Sequence, residues 1–214
     1  MIVRTMSKEL LVRELNSDMD FLYGMNDGWK KKYHKQLKNK KIPEMALLAT
    51  TEYTSPNQNK IVVHLFKTIL NKKDYSFYAV PVWKTYFGYI TPLINDWGRA
   101  IGATEYSSHA VQRIKERLGM DFLEYQKKIQ GSLANVEYHF NDCPDETVAS
   151  LGDFGFGFFK KTDWGKICTT VVSKEQLYDN QIELFEECFK NNEEAKRQTK
   201  EFVEVLVKQR RLAA

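Results

Sequence analysis

Three consecutive segments of strand-type composition between residues 44 and 90 place the strongest constraint on the fold. They are rich in Val, Ile, Tyr, Phe and Thr, residues that fit a pleated and half-buried surface. The segments span residues 44–53, 60–68 and 75–90, with turn-type residues at 55–59 and 70–74. We therefore expect an antiparallel meander in which Pro81 bends the third strand or places it at an edge.

Segments with helical periodicity lie on both sides of this meander. Ser7 can cap a first helix, and from Asp27 a second helix brings Trp29, Tyr33 and Leu37 onto one side. Residues 106–119 and 121–129 have the pattern of further helices, and Ser173 with Gln176 forms a capping box before the C-terminal helices. The predicted class is α+β: N-terminal helices, an antiparallel β-sheet packed on a His-bearing helix, and C-terminal helices. We expect a basic helical segment over 1–43, an α+β core domain over 44–173 and C-terminal helices over 174–214.

Composition narrows the class of protein without assigning a function. The 214 residues carry a formal charge of +4, which permits a nucleic-acid partner but does not require one. Cys143, Cys168 and Cys188 are odd in number and lack CxxC spacing, which argues against a disulfide scaffold or a zinc site. The sequence predicts no cofactor and no metal. It also predicts a cytoplasmic protein, because it lacks an apolar leader and a stretch of membrane-spanning length.

The helix predicted over 106–119 is the best candidate for carrying chemistry. Ser107 or Ser108 can cap its first free amides, and Gly119 can close it in the left-handed conformation. Its apolar residues recur at helical spacing and predict a buried stripe of Ala110, Val111, Ile114 and Leu118. The opposite face then presents His109, Gln112, Arg113, Glu116 and Arg117.

His109 is suited to proton transfer if this helix forms. The positive end of the helix dipole and the nearby Arg113 both disfavour imidazolium, so we expect a neutral imidazole that accepts a proton. Arg113 and Arg117 present planar forks that match phosphate oxygens. The alternative is a solvated helix face on which Glu116 pairs with Arg113 and His109 merely starts the helix.

The run Ser108-His109-Ala110-Val111-Gln112-Arg113-Ile114-Lys115-Glu116-Arg117 resembles a known signature. It is similar to the SHAxxRxxER motif of bacterial and phage proteins with the barnase/EndoU/colicin/RelE-like ribonuclease fold. A glycine-rich stretch at 151–157, a hairpin, a Thr/Ser-bearing strand at 169–173, Leu177 and Gln181 extend the resemblance over about residues 100–185. The resemblance implies the metal-independent RNA cleavage of some members; others have no demonstrated activity.

Cleavage of RNA without a metal requires a base for the 2′-hydroxyl proton, an acid for the departing 5′-oxygen, and cations for the crowded phosphorane. We expect His109 to be the base or the acid. Arg113 and Arg117 are the expected phosphate contacts, and Thr170 and Ser173 the expected hydrogen-bond donors from the returning strand.

The segment from residue 30 to residue 41 is the strongest electrostatic feature of the chain. Its lysines and neighbouring aromatic residues predict a nucleic-acid-binding surface. The candidate contacts are Lys30, Lys31, Lys35, Lys38, Trp29 and Tyr33. The alternative is a solvated helix whose Trp and Tyr pack inward.

Two functional hypotheses follow. The first is a toxin-like endoribonuclease whose partners are RNA and a cognate antitoxin or host protein. The second is a phage or mobile-element accessory protein that keeps the fold but only binds nucleic acid or protein. Turnover of RNA in a chelator distinguishes them, because only the first hypothesis predicts it.

Overall fold

The computed structural model describes residues 1–69, 75–95, 97–131, 137–140, 143–150, 155–179, 181–187, 189–191, 193–194 and 197. The predicted α+β class is confirmed, with N-terminal helices, a sheet and C-terminal helices. The chain forms two compact units, which we call unit 1 (Met1–Val111 and Lys161–Cys168) and unit 2 (Gln112–Lys160 and Thr169–Ala214). The predicted domain boundaries after residues 43 and 173 differ from the boundaries of these two units, and they stay a prediction.

Unit 1 contains the predicted meander, extended by two strands. Its strands are β1 Leu47–Thr54, β2 Lys60–Ile69, β3 Tyr75–Thr85, β4 Gly88–Ile94 and β5 Ala100–Ser107. Each pairs antiparallel with the next. The segment 75–90, predicted as one strand, forms β3 and the start of β4, joined by a turn at Tyr86 and Phe87. Strand β5 was not among the predicted strands.

Pro81 explains where the pairing between β3 and β4 stops. It lies opposite Val63 of β2, but on the β4 side the ladder covers only Trp83 to Thr85 against Gly88 to Ile90. Continuing that register would bring Pro81 opposite Pro92, and neither residue has an N–H to donate. The proline therefore lies on a locally unpaired side of β3. The strand itself is internal, between β2 and β4, so the predicted edge position is wrong.

The sheet of unit 1 also contains one parallel pair, which the sequence did not predict. Strand β5 pairs with the first part of β9 (Gly165–Ser173), with Ala103 opposite Gly165 and Tyr106 opposite Cys168. A parallel pair requires a long connection. The chain between these two strands supplies it, because it includes helices and a further set of strands.

The core of unit 1 lies between the sheet and the N-terminal helices. Helix α1 (Lys8–Gly24) begins at Ser7, whose Oγ accepts from the Leu10 amide at 3.4 Å. Its buried side chains pack with those of β2 and β3, and the cluster includes Leu11, Leu15, Met19, Leu22, Ile61, Val63, Leu65 and Trp83. The helix predicted from Asp27 is two short helices, α2 (Asn26–Lys32) and α3 (His34–Lys38), divided at Tyr33.

Unit 2 consists of the later part of α4 (Ser108–Leu118), a further helix, a hairpin-rich sheet and the C-terminal helical region. Helix α5 spans Phe122–Gly131, and the strands are β6 Glu137–Phe140, β7 Cys143–Ser150 and β8 Gly155–Thr162, the last of which ends in unit 1. Strands β6, β7 and β8 pair antiparallel in that order. Val148, Phe156 and Phe185 form a buried cluster, and residues 181–187 are helical.

Two predicted helix termini in this region are confirmed, the C-terminus of α4 and the N-terminus of α5. The amide of Gly119 donates to Lys115 O at 3.2 Å, and Gly119 has a φ of +66°, the left-handed conformation expected of the residue that closes α4. Asp121 Oδ1 accepts from the Glu124 amide at 2.8 Å and so caps α5. Within the described residues, every helix is too short or too polar to cross a membrane. The glycine-rich residues 151–154 lie outside the described part of the chain.

Candidate functional site

Helix α4 carries three of the predicted site residues and begins two residues later than expected. Tyr106 still belongs to β5, and Ser107 is the cap, because its Oγ accepts from the Ala110 amide at 3.2 Å. Ala110 and Ile114 are fully buried, while Val111 and Leu118 are half-buried, so the predicted apolar stripe is present. The boundary between units 1 and 2 crosses this helix after Val111.

His109 lies in the first turn of α4, within unit 1. Its side chain is exposed, and among the described residues we find no hydrogen bond to its imidazole. An exposed imidazole with uncommitted nitrogen atoms can accept or donate a proton at a bound molecule.

An open pocket of about 260 Å³ lies in unit 1 beside the start of α4. Ser108 and Val111 line it from the helix, whereas His109, which lies between them in the sequence, is not part of the lining. The rest of the lining comes from β3, β4 and the turn between them: Lys84, Thr85, Tyr86, Gly88 and Tyr89. One amine, two phenols and two hydroxyl groups therefore surround this space.

Tyr86 is the most exposed aromatic residue of this lining. Its side chain is 76% exposed, and its ring meets the buried Phe87 edge-on, with ring centroids 4.9 Å apart. The sequence interpretation missed Tyr86, Lys84 and Tyr89 because it treated residues 75–90 as one strand. The glycine at position 88, directly after the aromatic pair, was the signal for a turn.

Lys84 forms an ion pair in this region. Its Nζ lies 2.5 Å from Glu52 Oε2, and Lys60 lies directly opposite Lys84 on the neighbouring strand. The hydrogen bond from Lys84, followed by the positive charges of Lys84 and Lys60, lowers the pKa of the Glu52 carboxyl. Lys84 pairs with this carboxylate and the charge of Lys60 lies nearby, which leaves a local excess of positive charge.

Arg113, in unit 2, has a protein partner. Its Nη1 donates to Glu116 Oε2 at 2.8 Å, and Gln112 Nε2 donates to Glu116 Oε1 at 2.6 Å. This pairing is the one expected for a solvated helix face. Because both charged side chains are substantially exposed, the ion pair is open to exchange with a competing anion.

Arg117 and Thr170, two predicted site residues of unit 2, meet in the structure. Arg117 Nη1 donates to Val171 O at 2.8 Å and to Thr170 Oγ1 at 3.3 Å. The guanidinium thereby joins the end of α4 to strand β9. Sequence spacing could not predict this contact, because the carbonyl of Val171 is 54 residues away.

Ser173 has the capping function predicted from its sequence. Its side chain accepts from the Gln176 amide, and the Gln176 side chain accepts from the Ser173 amide at 3.3 Å. The element that it caps is a short 3₁₀ helix, Lys174–Gln176, instead of the expected α-helix. Ser173 is also buried, with 5% of its surface exposed.

The basic segment of unit 1 separates into exposed charges and inward aromatic rings. Lys30, Lys31, Lys35 and Lys38 are all exposed. Trp29 is buried and donates from Nε1 to the Tyr53 hydroxyl at 2.8 Å, while Tyr33 packs edge-on against Phe77. The exposed lysines can therefore attract phosphates, while the rings of Trp29 and Tyr33 pack inward and stabilise the helices.

The buried Lys67 binds the end of the basic segment and the residue directly after it. Lys67 Nζ donates to Asn39 O at 2.7 Å and to Ile42 O at 2.8 Å, and it lies 4.8 Å from the centre of the Tyr75 ring. The side chain is almost fully buried. Its charge is thus satisfied by two carbonyl groups and an aromatic face.

Comparison with known proteins leaves the site unassigned. No protein-family model, curated protein or solved structure matched the chain. In the described ranges, no three His, Cys, Asp or Glu side chains are grouped as they would be around a metal ion. The predicted kinship with the ribonuclease fold therefore stays a prediction.

Proposed function

We propose that this protein is an endoribonuclease that cleaves RNA without a metal ion, with His109 as its general base or acid. The observation that carries the proposal is the exposed imidazole of His109 in the first turn of α4. Ser108 and Val111 of the same helix line an open pocket, and His109 lies outside that lining. The pocket is lined by Lys84, Tyr86 and Tyr89, which suit a phosphate and a base.

The proposed reaction is a transesterification. One group removes the proton of the 2′-hydroxyl, the 2′-oxygen forms a bond to phosphorus, and the bond from phosphorus to the 5′-oxygen breaks. The departing 5′-oxygen takes up a proton, and the other product carries a cyclic phosphate. His109 performs one of the two proton transfers, and water in the open pocket performs the other.

Cationic and hydrogen-bonding groups would stabilise the charge on the phosphorane. Lys84 is the ammonium group in the pocket lining of unit 1. The predicted roles of Arg113 and Arg117 as phosphate contacts, and of Thr170 and Ser173 as hydrogen-bond donors, stay predictions; these four residues belong to unit 2. For Arg113, contact with phosphate means exchanging the carboxylate of Glu116 for a phosphate oxygen.

The exposed lysines at positions 30, 31, 35 and 38 would attract the RNA backbone. They act on phosphates and so add affinity without sequence preference. Trp29 and Tyr33, which the sequence suggested as nucleic-acid contacts, would instead stabilise the helices that carry these lysines.

A second function is favoured by the contacts of the arginines. Arg113 is paired with Glu116, and Arg117 is bonded to β9, so both have protein partners. This arrangement suits a protein that binds nucleic acid without cleaving it, as an accessory protein of a phage or mobile element would. A cognate antitoxin is a partner only under the first function, whereas a host protein is a possible partner under either one.

The experiment that separates the two functions compares RNA and DNA of the same sequence, each incubated with the purified protein in a chelator. The ribonuclease proposal predicts cleavage of RNA alone and products that end in a cyclic phosphate, because the 2′-hydroxyl is the nucleophile. Binding of RNA with no cleavage products would support the second function. Equal cleavage of RNA and DNA would contradict the proposed reaction.

A further inference from the structure

We infer that a row of side chains on the sheet of unit 1, Lys60, Lys84, Tyr89 and Tyr86, binds single-stranded RNA, with one unpaired base stacked on Tyr86. This inference rests on the proposed function, because it takes RNA as the ligand. It adds a substrate class, unpaired rather than duplex RNA, and a path for the strand beyond the pocket.

The first three residues of the row lie on one face of the sheet. Lys60 is directly opposite Lys84, and Lys84 is directly opposite Tyr89, on three neighbouring antiparallel strands. Side chains that are directly opposite in such strands point to the same face. Neighbouring strands lie about 4.8 Å apart, so the row crosses roughly 10 Å of the surface.

The two positive charges of the row favour the binding of a polyanion, whereas their repulsion is unfavourable for the stability of the fold. Like charges directly opposite on neighbouring strands are destabilising, and Lys60 and Lys84 are such a pair. Glu52 compensates only one of the two ammonium groups, through its contact with Lys84. The ion pair is partly exposed, so a phosphate can compete for Lys84 while Lys60 provides the second positive charge.

Tyr86 supplies the contact that distinguishes an unpaired base from a paired one. Three quarters of its side chain is exposed, and Phe87 holds the ring from one side through an edge contact. A flat ring fixed in this way on a two-residue turn can stack on a base. A duplex hides the faces of its bases in the helical stack, so only a single strand can use this contact.

The test measures binding separately from cleavage. The probe is a labelled, 2′-O-methyl RNA of about 12 nucleotides, a length within the range of single-stranded sites, and the comparison probe is its duplex. Methylation of the 2′-oxygen prevents transesterification, so fluorescence anisotropy reports the Kd alone. The wild-type protein should bind the single strand more tightly than the duplex.

The variants address each part of the row. Tyr86→Ala should raise the Kd for the single strand about tenfold, and Tyr86→Trp should retain binding because a flat ring remains. Lys60→Gln should weaken binding and lower the slope of log K against log salt by about 0.7. Glu52→Gln should strengthen binding severalfold at low salt, because it releases Lys84 and removes the negative charge from the row.

Tyr178→Ala is the matched control. Tyr178 is 75% exposed, almost the same as Tyr86, but it belongs to unit 2. Its replacement should leave the Kd unchanged. An equal effect of the two alanine variants would overturn the inference, as would duplex binding equal to single-strand binding.

The inference and the proposed function can fail separately. If the wild-type protein cleaves RNA and Tyr86→Ala binds the methylated strand as tightly as wild type, the inference is wrong and the proposed function stands. If Tyr86→Ala weakens single-strand binding but the wild-type protein cleaves nothing, the row is supported and the proposed chemistry is wrong.

Discussion

The indole Nε1 of Trp83 donates a 2.8 Å hydrogen bond to Asp18 Oδ2, and both side chains are fully buried. Asn59 Nδ2 donates to the same oxygen at 2.7 Å, and Asn57 Nδ2 donates to Oδ1 at 3.0 Å. One carboxylate on α1 thus bonds both to β3 and to the turn between β1 and β2. Because a carboxylate without partners is very costly in a core, these three donors determine how α1 is placed on the sheet.

Replacing this carboxylate should destabilise unit 1. Asp18→Ala leaves the Trp83 indole buried without an acceptor and removes one of the two acceptors of Asn59 Nδ2, the other being Glu14 Oε1. We expect the free energy of unfolding to fall by about 3 kcal/mol. Urea denaturation followed by tryptophan fluorescence measures the change. Asp20→Ala is the control on the same helix, because Asp20 is exposed and, among the described residues, forms its ion pair with Arg99 alone. A loss of equal size in both variants would contradict this account.

Lys67 should stabilise the connection between the basic segment and the sheet. In Lys67→Met the carbonyl oxygens of Asn39 and Ile42 lose their donor, so we expect a loss of about 2 kcal/mol in the free energy of unfolding. The released connection should also be cut faster by trypsin after Lys38, Lys40 and Lys41. Lys60→Met, in the exposed part of the same strand, should leave both measurements near wild type. Unchanged proteolysis of Lys67→Met would argue against the stabilising role of Lys67.

The turn that presents Tyr86 should depend on Gly88. This residue has a φ of +138°, and an added Cβ would overlap the carbonyl oxygen of Tyr106. Gly88→Ala should therefore cost at least about 2 kcal/mol. Gly28→Ala, in helix α2 with open space around it, should have the opposite sign and gain about 0.5 kcal/mol. Thermal unfolding of the two variants measures both effects, and a tolerated Gly88→Ala would show that the turn is not constrained in this way.

The exposed lysines of the basic segment should govern the salt dependence of RNA binding. If each of the four contacts a phosphate, changing all four to Gln should reduce the slope of log K against log salt by about 3. The measurement is a salt titration of binding to single-stranded RNA. A charge-matched control replaces exposed lysines elsewhere in the chain: Lys8, Lys128, Lys160 and Lys190. Equal slopes in the two sets would show that the basic segment has no special part in binding.

The features that the sequence predicted well are those determined by local chemistry. Ser107 caps α4, Gly119 closes it in the left-handed conformation, and Ala110 is buried at its helical spacing. Asp121 caps α5 in the same local way. Each of these outcomes depends on residues within a few positions of each other, so the local sequence is sufficient to predict it.

The features that were missed depend on distant residues or on turns of unusual composition. Tyr86 and Phe87 have strand-type side chains, so the turn that they form was hidden inside a predicted strand. Strand β5 contains Gly102 and Ala103 and is stabilised by pairing with β4 and β9. The Trp83 indole that donates to Asp18 is 65 residues away. Such contacts appear only when the strands are assembled, and so does the pocket lined by the turn between β3 and β4 and the start of α4.

The most direct test of the proposed reaction is the rate at which His109→Ala cleaves single-stranded RNA in a chelator, beside the wild type and His34→Ala. His34 is also exposed and lies in the basic segment of unit 1, so its variant controls for the loss of an imidazole. We predict that His109→Ala is slower by about 100-fold or more, the usual effect of removing a general acid or base, and that His34→Ala cleaves like wild type. Equal rates for all three proteins would remove His109 from the mechanism and contradict the account.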